Sequence, residues 1–156
     1  MSIAARSVTD ELILTRDIAA PRARVFAAWT DARAASRWWV PQDCTPLSCE
    51  LDVRPGGAWR AHGYKPGGEH FAKSGIYLEV KRPELLVFTW AHHAEDNYVS
   101  LRGHETTVRV EFRAIGNKTE ITLVQGPFID TPNYNGHNTG WQGSFDKLTA
   151  FLGSAS

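Results

Sequence analysis

The feature that most constrains the fold is an amphipathic stretch near the end of the chain, from Asn135 to Leu152. Large apolar residues recur there at the three- and four-residue spacing of one helical face, namely Trp141, Phe145, Leu148, Phe151 and Leu152. A helix of this kind must bury its apolar face against another element. Because nearly all of the preceding chain has the pattern of short strands, that element is predicted to be a β-sheet.

Seven segments upstream of the helix alternate apolar and polar residues, as half-buried strands do. They are Thr9–Ile18, Leu47–Val53, Ala58–Tyr64, His70–Val80, Leu85–His92, Thr106–Phe112 and Thr119–Gln125. Turn sequences rich in Gly and Pro separate most of them, so the strands are predicted to form antiparallel hairpins. Two short helices follow the first strand: Pro21–Trp29, and a second that Thr30 or Asp31 caps and that ends at Trp38-Trp39.

This order of elements predicts an α+β fold in which a curved, seven-stranded antiparallel sheet wraps around a long C-terminal helix. The length of 156 residues is that of one domain, and its core is predicted to run from about residue 9 to residue 152. Such an arrangement can enclose a cavity between the helix and the sheet.

Charge and hydropathy argue against several classes of function. Seventeen Lys and Arg balance seventeen Asp and Glu, whereas proteins that bind nucleic acids or membrane surfaces usually carry a basic excess. No apolar run approaches the roughly 20 residues of a membrane span, and the N-terminus lacks the apolar block of a secretory signal. We therefore expect a cytoplasmic monomer or homodimer without nucleic-acid or membrane partners.

The polar residues predict no metal site, cofactor, disulfide or catalytic set. Cys44 and Cys49 lie five apart, which points their side chains to opposite faces of a strand. The six histidines lack the convergent spacing of zinc ligands, and only His62 and His92 are placed where they could face inward from neighbouring strands. The sequence contains no Gly-x-Ser-x-Gly elbow, phosphate-binding loop or inward pair of carboxylates.

The chain is rich in aromatic residues, with six Trp, seven Phe and four Tyr. Aromatic rings are large and rigid, so an interior made of them either packs closely or leaves a cavity. If it is hollow, rings from separate elements would converge on one apolar space, and the predicted ligand-binding residues are Trp38, Trp59, His62, Tyr77, Trp90, Val108, His137 and Trp141. His62 or His137 would orient the ligand, although His137 could also simply end the buried stripe of the helix.

A series of short motifs runs through the chain from about Leu12 to Leu152. In chain order they are Ala20-Pro21-x3-Val25-Phe26-x2-Trp29-Thr30-Asp31, Arg37-Trp38-Trp39-x-Pro41, Cys49-Glu50-Leu51-Asp52-x-Arg54-Pro55-Gly56-Gly57-x-Trp59-Arg60, Gly75-x-Tyr77-x-Glu79, Pro83-Glu84-x-Leu86-x-Phe88-Thr89-Trp90 and Gly136-His137-x2-Gly140-Trp141-x2-Ser144-Phe145-x2-Leu148. In order and spacing they resemble the bacterial family named after activators of the heat-shock-90 chaperone ATPase. The resemblance implies the helix-grip fold of the START-like (SRPBCC) superfamily, which includes lipid carriers, polyketide cyclases and plant ligand-binding proteins.

Three functions are compatible with the sequence. The first is a domain that binds a small apolar or aromatic molecule without an evident catalytic set. The second, which the family name implies, is an interaction module that activates a chaperone ATPase and therefore has a chaperone partner. The third is an enzyme of the polyketide cyclase or hydrolase kind. The polar loop between His92 and Glu105 would flank the cavity mouth in any of them.

Overall fold

The computed structural model describes residues 11–39, 45–64, 67–68, 70–92, 104–128 and 131–154. The strands are β1 Leu12–Ile18, β2 Thr45–Leu51, β3 Ala58–Tyr64, β4 His70–Lys81, β5 Leu85–His92, β6 Thr106–Ile115 and β7 Lys118–Gly126. The helices of this described part are α1 Arg22–Thr30, α2 Ala32–Trp38 and α3 Thr131–Ser154. The predicted α+β helix-grip fold is confirmed, including the two short helices after the first strand.

The seven strands form one open antiparallel sheet in the order β1-β7-β6-β5-β4-β3-β2. From β2 to β7 each strand pairs with the next one in the chain, as the predicted hairpins require. The exception is β1, which pairs with β7 at the far edge, with Leu12 opposite Gln125 and Ile18 opposite Thr119. The long connection that carries α1 and α2 therefore joins the two edges of the sheet.

Most element boundaries agree with the alternation in the sequence, and the differences have local causes. Strand β6 continues past Phe112 to Ile115, because the tight turn at Gly116 (φ 61°) lets Ile115 pair with Lys118. Helix α3 begins at Thr131, four residues earlier than predicted, since proline is compatible with a first helical turn. The start of the first predicted strand, the Cys44 side chain and most of the predicted polar loop after His92 lie outside the described residues.

A buried polar network joins α3 to strands β7 and β6. The indole Nε1 of Trp141 donates to Oε1 of Gln125 on β7 at 2.7 Å, and Nε2 of Gln125 donates to Oγ1 of Thr106 on β6 at 2.8 Å. Gln125 is fully buried, so each of these groups would be costly to leave without its partner. Farther along α3, Phe145, Leu148 and Leu152 are buried on the predicted apolar face.

Candidate functional site

The six tryptophans form one contiguous buried cluster in the space between the sheet and the helices. Their ring centroids lie 4.7 Å apart for Trp29–Trp38, 4.9 Å for Trp39–Trp59, 5.3 Å for Trp59–Trp90, 5.2 Å for Trp90–Trp141 and 5.8 Å for Trp29–Trp141. Helices α1 and α3, the end of α2 and strands β3 and β5 each contribute at least one ring. The interior is therefore interlocked across the middle of the fold. We call this set the tryptophan cluster.

A glycine in β4 lets the cluster reach across the sheet. The indole of Trp59 donates from Nε1 to the carbonyl oxygen of Thr89 at 3.0 Å, passing over Gly75. A Cβ atom at Gly75 would lie 1.8 Å from that oxygen and 2.6 Å from the indole nitrogen. Only glycine allows this close approach, which accounts for Gly75 in the interior of the strand.

A pocket of about 260 Å³ lies at the edge of the tryptophan cluster, between the first half of α3 and the inner face of β4 and β5. Three rings of the cluster line it, those of Trp39, Trp90 and Trp141. The other lining residues are Lys73, His92, Pro132, Asn133, Gly136, His137, Gly140 and Ser144.

The pocket exists because α3 presents a row of small residues to it. Gly136, Gly140 and Ser144 follow one another at the four-residue spacing of one helical face. A Cβ atom added at Gly136 would meet no other atom within 4 Å. The helix thus leaves room over the sheet at its first three turns, whereas Phe145 and Leu148 fill the corresponding space farther along.

Lys73 is the unexpected member of the site. It lies on β4 opposite Ala61 of β3 and His92 of β5, and its side chain is only 3% exposed. Its Nζ lies 4.6 Å from the centroid of the Trp90 ring, in cation–π geometry. The sequence did contain a signal for it, because Lys73 has the same strand parity as Tyr77, which was predicted to face inward.

Two histidines meet at the rim of the pocket. Nε2 of His137 lies 3.2 Å from Nε2 of His92, and Nδ1 of His137 lies 2.8 Å from the carbonyl oxygen of Asn133. A carbonyl oxygen can only accept, so Nδ1 of His137 carries the proton and its Nε2 accepts from His92. Burial lowers the pKa of His137, which favours this neutral form.

A second, smaller pocket lies beyond this histidine pair. It has a volume of about 180 Å³ and shares Trp90, His92, Asn133 and His137 with the first pocket. His104 lines it as well, and its Nε2 donates to the carbonyl oxygen of Pro127 at 2.7 Å. The histidine pair therefore lines two neighbouring pockets near the start of α3.

The structure brings three of the eight predicted site residues to the main pocket, namely Trp90, His137 and Trp141. Trp38, Trp59, Tyr77 and Val108 are buried in the core instead and do not line it. Trp38 faces α1, because its indole donates to the carbonyl oxygen of Ala28 at 3.0 Å. The neighbouring Trp39 occupies the position that was predicted for Trp38.

The expectation that His62 faces inward is wrong. On β3 the buried residues are Trp59, Ala61 and Gly63, so His62 lies on the outer side of the strand. There it is half-buried and forms a hydrogen bond with the hydroxyl of Ser48 on β2. The sequence analysis also missed Trp39, Lys73 and the small residues of α3 as parts of the pocket.

Comparison with known proteins gives this architecture a family. Residues 19–153 match the family model of the Activator of Hsp90 ATPase homolog 1-like protein. The chain belongs to this family. The family predicted from the motifs is thereby confirmed, and the fold is consistent with the START-like superfamily.

Solved structures of bacterial proteins are similar to this member of the family over nearly its whole length. An AHSA1 protein of Silicibacter pomeroyi is 28% identical, with 94% of this chain and 99% of that chain covered and a TM-score of 0.83. A protein of Nitrosomonas europaea is 25% identical, with 94% and 96% covered and a TM-score of 0.78. No curated protein matches the chain.

Two features are absent from the described residues. Within them, no group of three or more His, Cys, Asp or Glu side chains is arranged to hold a metal ion. No helix among them is long and apolar enough to cross a membrane.

Proposed function

We propose that this protein binds a small aromatic or apolar molecule in the pocket between α3 and the inner face of the sheet. The observation that carries the proposal is that three tryptophan rings and two glycines of α3 line the same pocket. Rings supply apolar surface for a ligand to cover, and the glycines supply the space. Covering that surface is worth about 25 cal/mol per Å².

The size of the pocket points to a ligand of about two rings. An engineered apolar cavity of about 150 Å³ is large enough to bind benzene. The volume here is about 260 Å³, which leaves room for a fused two-ring body with a short substituent. Polar groups at the rim, the histidine pair among them, would orient such a molecule.

The test is calorimetric titration of the protein with neutral one- and two-ring probes, namely indole, naphthalene and 1-naphthylacetamide. At least one should bind and raise the melting temperature, since a ligand of the folded state stabilises that state. Gly136→Leu should abolish binding, because the new side chain would enter the pocket from a position where a Cβ meets nothing within 4 Å.

The matched control is Gly153→Leu. Gly153 lies near the end of the same helix, away from the pocket, and a Cβ there also meets nothing within 4 Å. This variant should bind like the wild-type protein. If none of the probes binds, or if Gly136→Leu binds as well as Gly153→Leu, the proposed function is wrong.

A second candidate function is interaction with a chaperone, which the family description names. The observation in its favour is on the outer face of β4, where the side chains of Ile76 and Leu78 are 47% and 48% exposed. An interaction module should stimulate the ATPase of a heat-shock-90 chaperone, and a double variant with Ile76→Ser and Leu78→Ser should lose the stimulation. No stimulation by the wild-type protein would eliminate this candidate.

A further inference from the structure

We propose that the pocket selects ligands in which a carboxylate or similar anionic group is attached to the aromatic body, and that Lys73 binds that group. This inference rests on the proposed function and narrows its ligand class. It concerns a residue that neither the family description nor the aromatic composition identifies.

The position of Lys73 is what suggests an anion. Lys73 lines the pocket and is almost fully buried. Its Nζ lies over the Trp90 ring, 4.6 Å from the ring centroid. Trp90 also faces the pocket, so a ring stacked beside it would bring a short acidic substituent close to the ammonium group. Interactions between opposite charges are much stronger in such a weakly polar setting than in water.

The neighbours of Lys73 on one side have small side chains. Ala61 is its register partner on β3, and Cys49 on β2 is in turn opposite Ala61. Burial raises the pKa of the Cys49 thiol to about 12, and the thiol therefore stays neutral near Lys73. On the other side, His92 is the register partner of Lys73 on β5.

The other lining residues leave the wall with a positive character. Of the described residues that line the pocket, Lys73 is the one Lys or Arg, and none is Asp or Glu. Burial lowers the pKa of His137 and favours its neutral form, and the charge of Lys73 acts in the same direction, whereas the hydrogen bond from its Nδ1 to Asn133 acts in the opposite one. A carboxylate in the pocket would thus meet a cation without facing an anion of the lining, whereas a cationic ligand would be repelled.

The experiment uses two probes of the same shape, 1-naphthylacetate and 1-naphthylacetamide, titrated calorimetrically into the full chain. The wild-type protein should bind the acid at least about ten times more tightly than the amide, which is about 1.4 kcal/mol. Lys73→Met removes the charge and keeps an unbranched side chain that is shorter by one atom. It should weaken binding of the acid to the level of the amide and leave binding of the amide unchanged.

Lys81→Met is the matched control, because Lys81 ends the same strand at an exposed position beside Glu79 and is not part of the pocket. It should keep the preference for the acid. If Lys73→Met fails to fold, as judged by circular dichroism, Lys73→Gln serves in its place.

Two results would overturn the inference. Equal affinity of the wild-type protein for the acid and the amide would show that the pocket does not select anions, while the proposed function would still stand. A preference for the acid that persists without Lys73 would show that another group binds the carboxylate. Absence of binding by both probes and by the neutral panel would refute the proposed function itself.

Discussion

Two tryptophans in the cluster differ in one respect that can be measured. Trp141 donates its indole hydrogen to the buried Gln125, at 2.7 Å. Trp29 is equally buried and stacks on Trp141 with 5.8 Å between centroids, but its Nε1 has no hydrogen-bond partner within the described residues. Replacing either tryptophan with Phe removes the same atoms. Only the replacement of Trp141 also breaks a hydrogen bond.

The difference between the two variants isolates the energy of the polar network. The loss of apolar contact should be similar at both positions. Trp141→Phe also leaves Oε1 of Gln125 buried without a donor, which typically costs about 1–3 kcal/mol. Trp29→Phe removes a donor that already lacks a partner and carries no such cost. We therefore expect Trp141→Phe to lower the free energy of unfolding by about 1–3 kcal/mol more than Trp29→Phe.

Equilibrium unfolding in urea, followed by circular dichroism, would measure both values. A second substitution, Gln125→Met, should recover part of the loss in the Trp141→Phe protein, because it removes the acceptor that was left without a donor. Equal destabilisation by the two Phe variants would refute this account of how α3 is fixed to the sheet. So would a larger effect at Trp29.

Three other predictions concern single groups. Burial lowers the pKa of His137, so the unfolded chain binds the proton more readily; the free energy of unfolding should fall as the pH drops through about 6.5, and His137→Gln should reduce that fall. Because burial raises the pKa of Cys49 to about 12, iodoacetamide should alkylate it in a Cys44→Ser variant far more slowly in the folded protein than in urea. Gly136→Ala should raise the free energy of unfolding by about 0.8–1 kcal/mol in urea titrations, since alanine is the better helix former and its methyl group would meet nothing within 4 Å. No gain in stability would show that this position does not tolerate a side chain.

The arrangement of strands and helices could be predicted because burial imposes a simple period on each of them. The assignment of individual residues to one face was less successful. Trp59 and His62 were both expected in the site, although residues three apart in a strand point to opposite sides. The structure places Trp59 inward and His62 outward. The same parity rule, applied to β4, would have placed Lys73 on the inner face, because it lies four residues before the inward-facing Tyr77.

The pocket itself was harder to predict. It depends on glycines, which have no side chain, and on Trp39, which lies just outside a helix. Gly136 and Gly140 create its volume without any apolar signal of their own. Trp39 follows the last residue of α2 with φ −83° and ψ 36°, and this non-helical conformation decides which of two adjacent tryptophans reaches the pocket. Val108 lies fully buried in the sheet, so a larger residue there would overpack the core and leave the pocket unfilled.

The most direct test of the proposed function is to observe the six indole N–H signals by ¹H–¹⁵N NMR during titration with neutral 1-naphthylacetamide. Single Trp→Phe variants would assign the signals. Binding in the pocket predicts that the signals of Trp39, Trp90 and Trp141 move most, because these rings line it. The signal of Trp38, whose indole is directed to Ala28, should move least. If the probe binds but the largest shift is at Trp38, or if no indole signal responds, the ligand does not lie between α3 and the sheet.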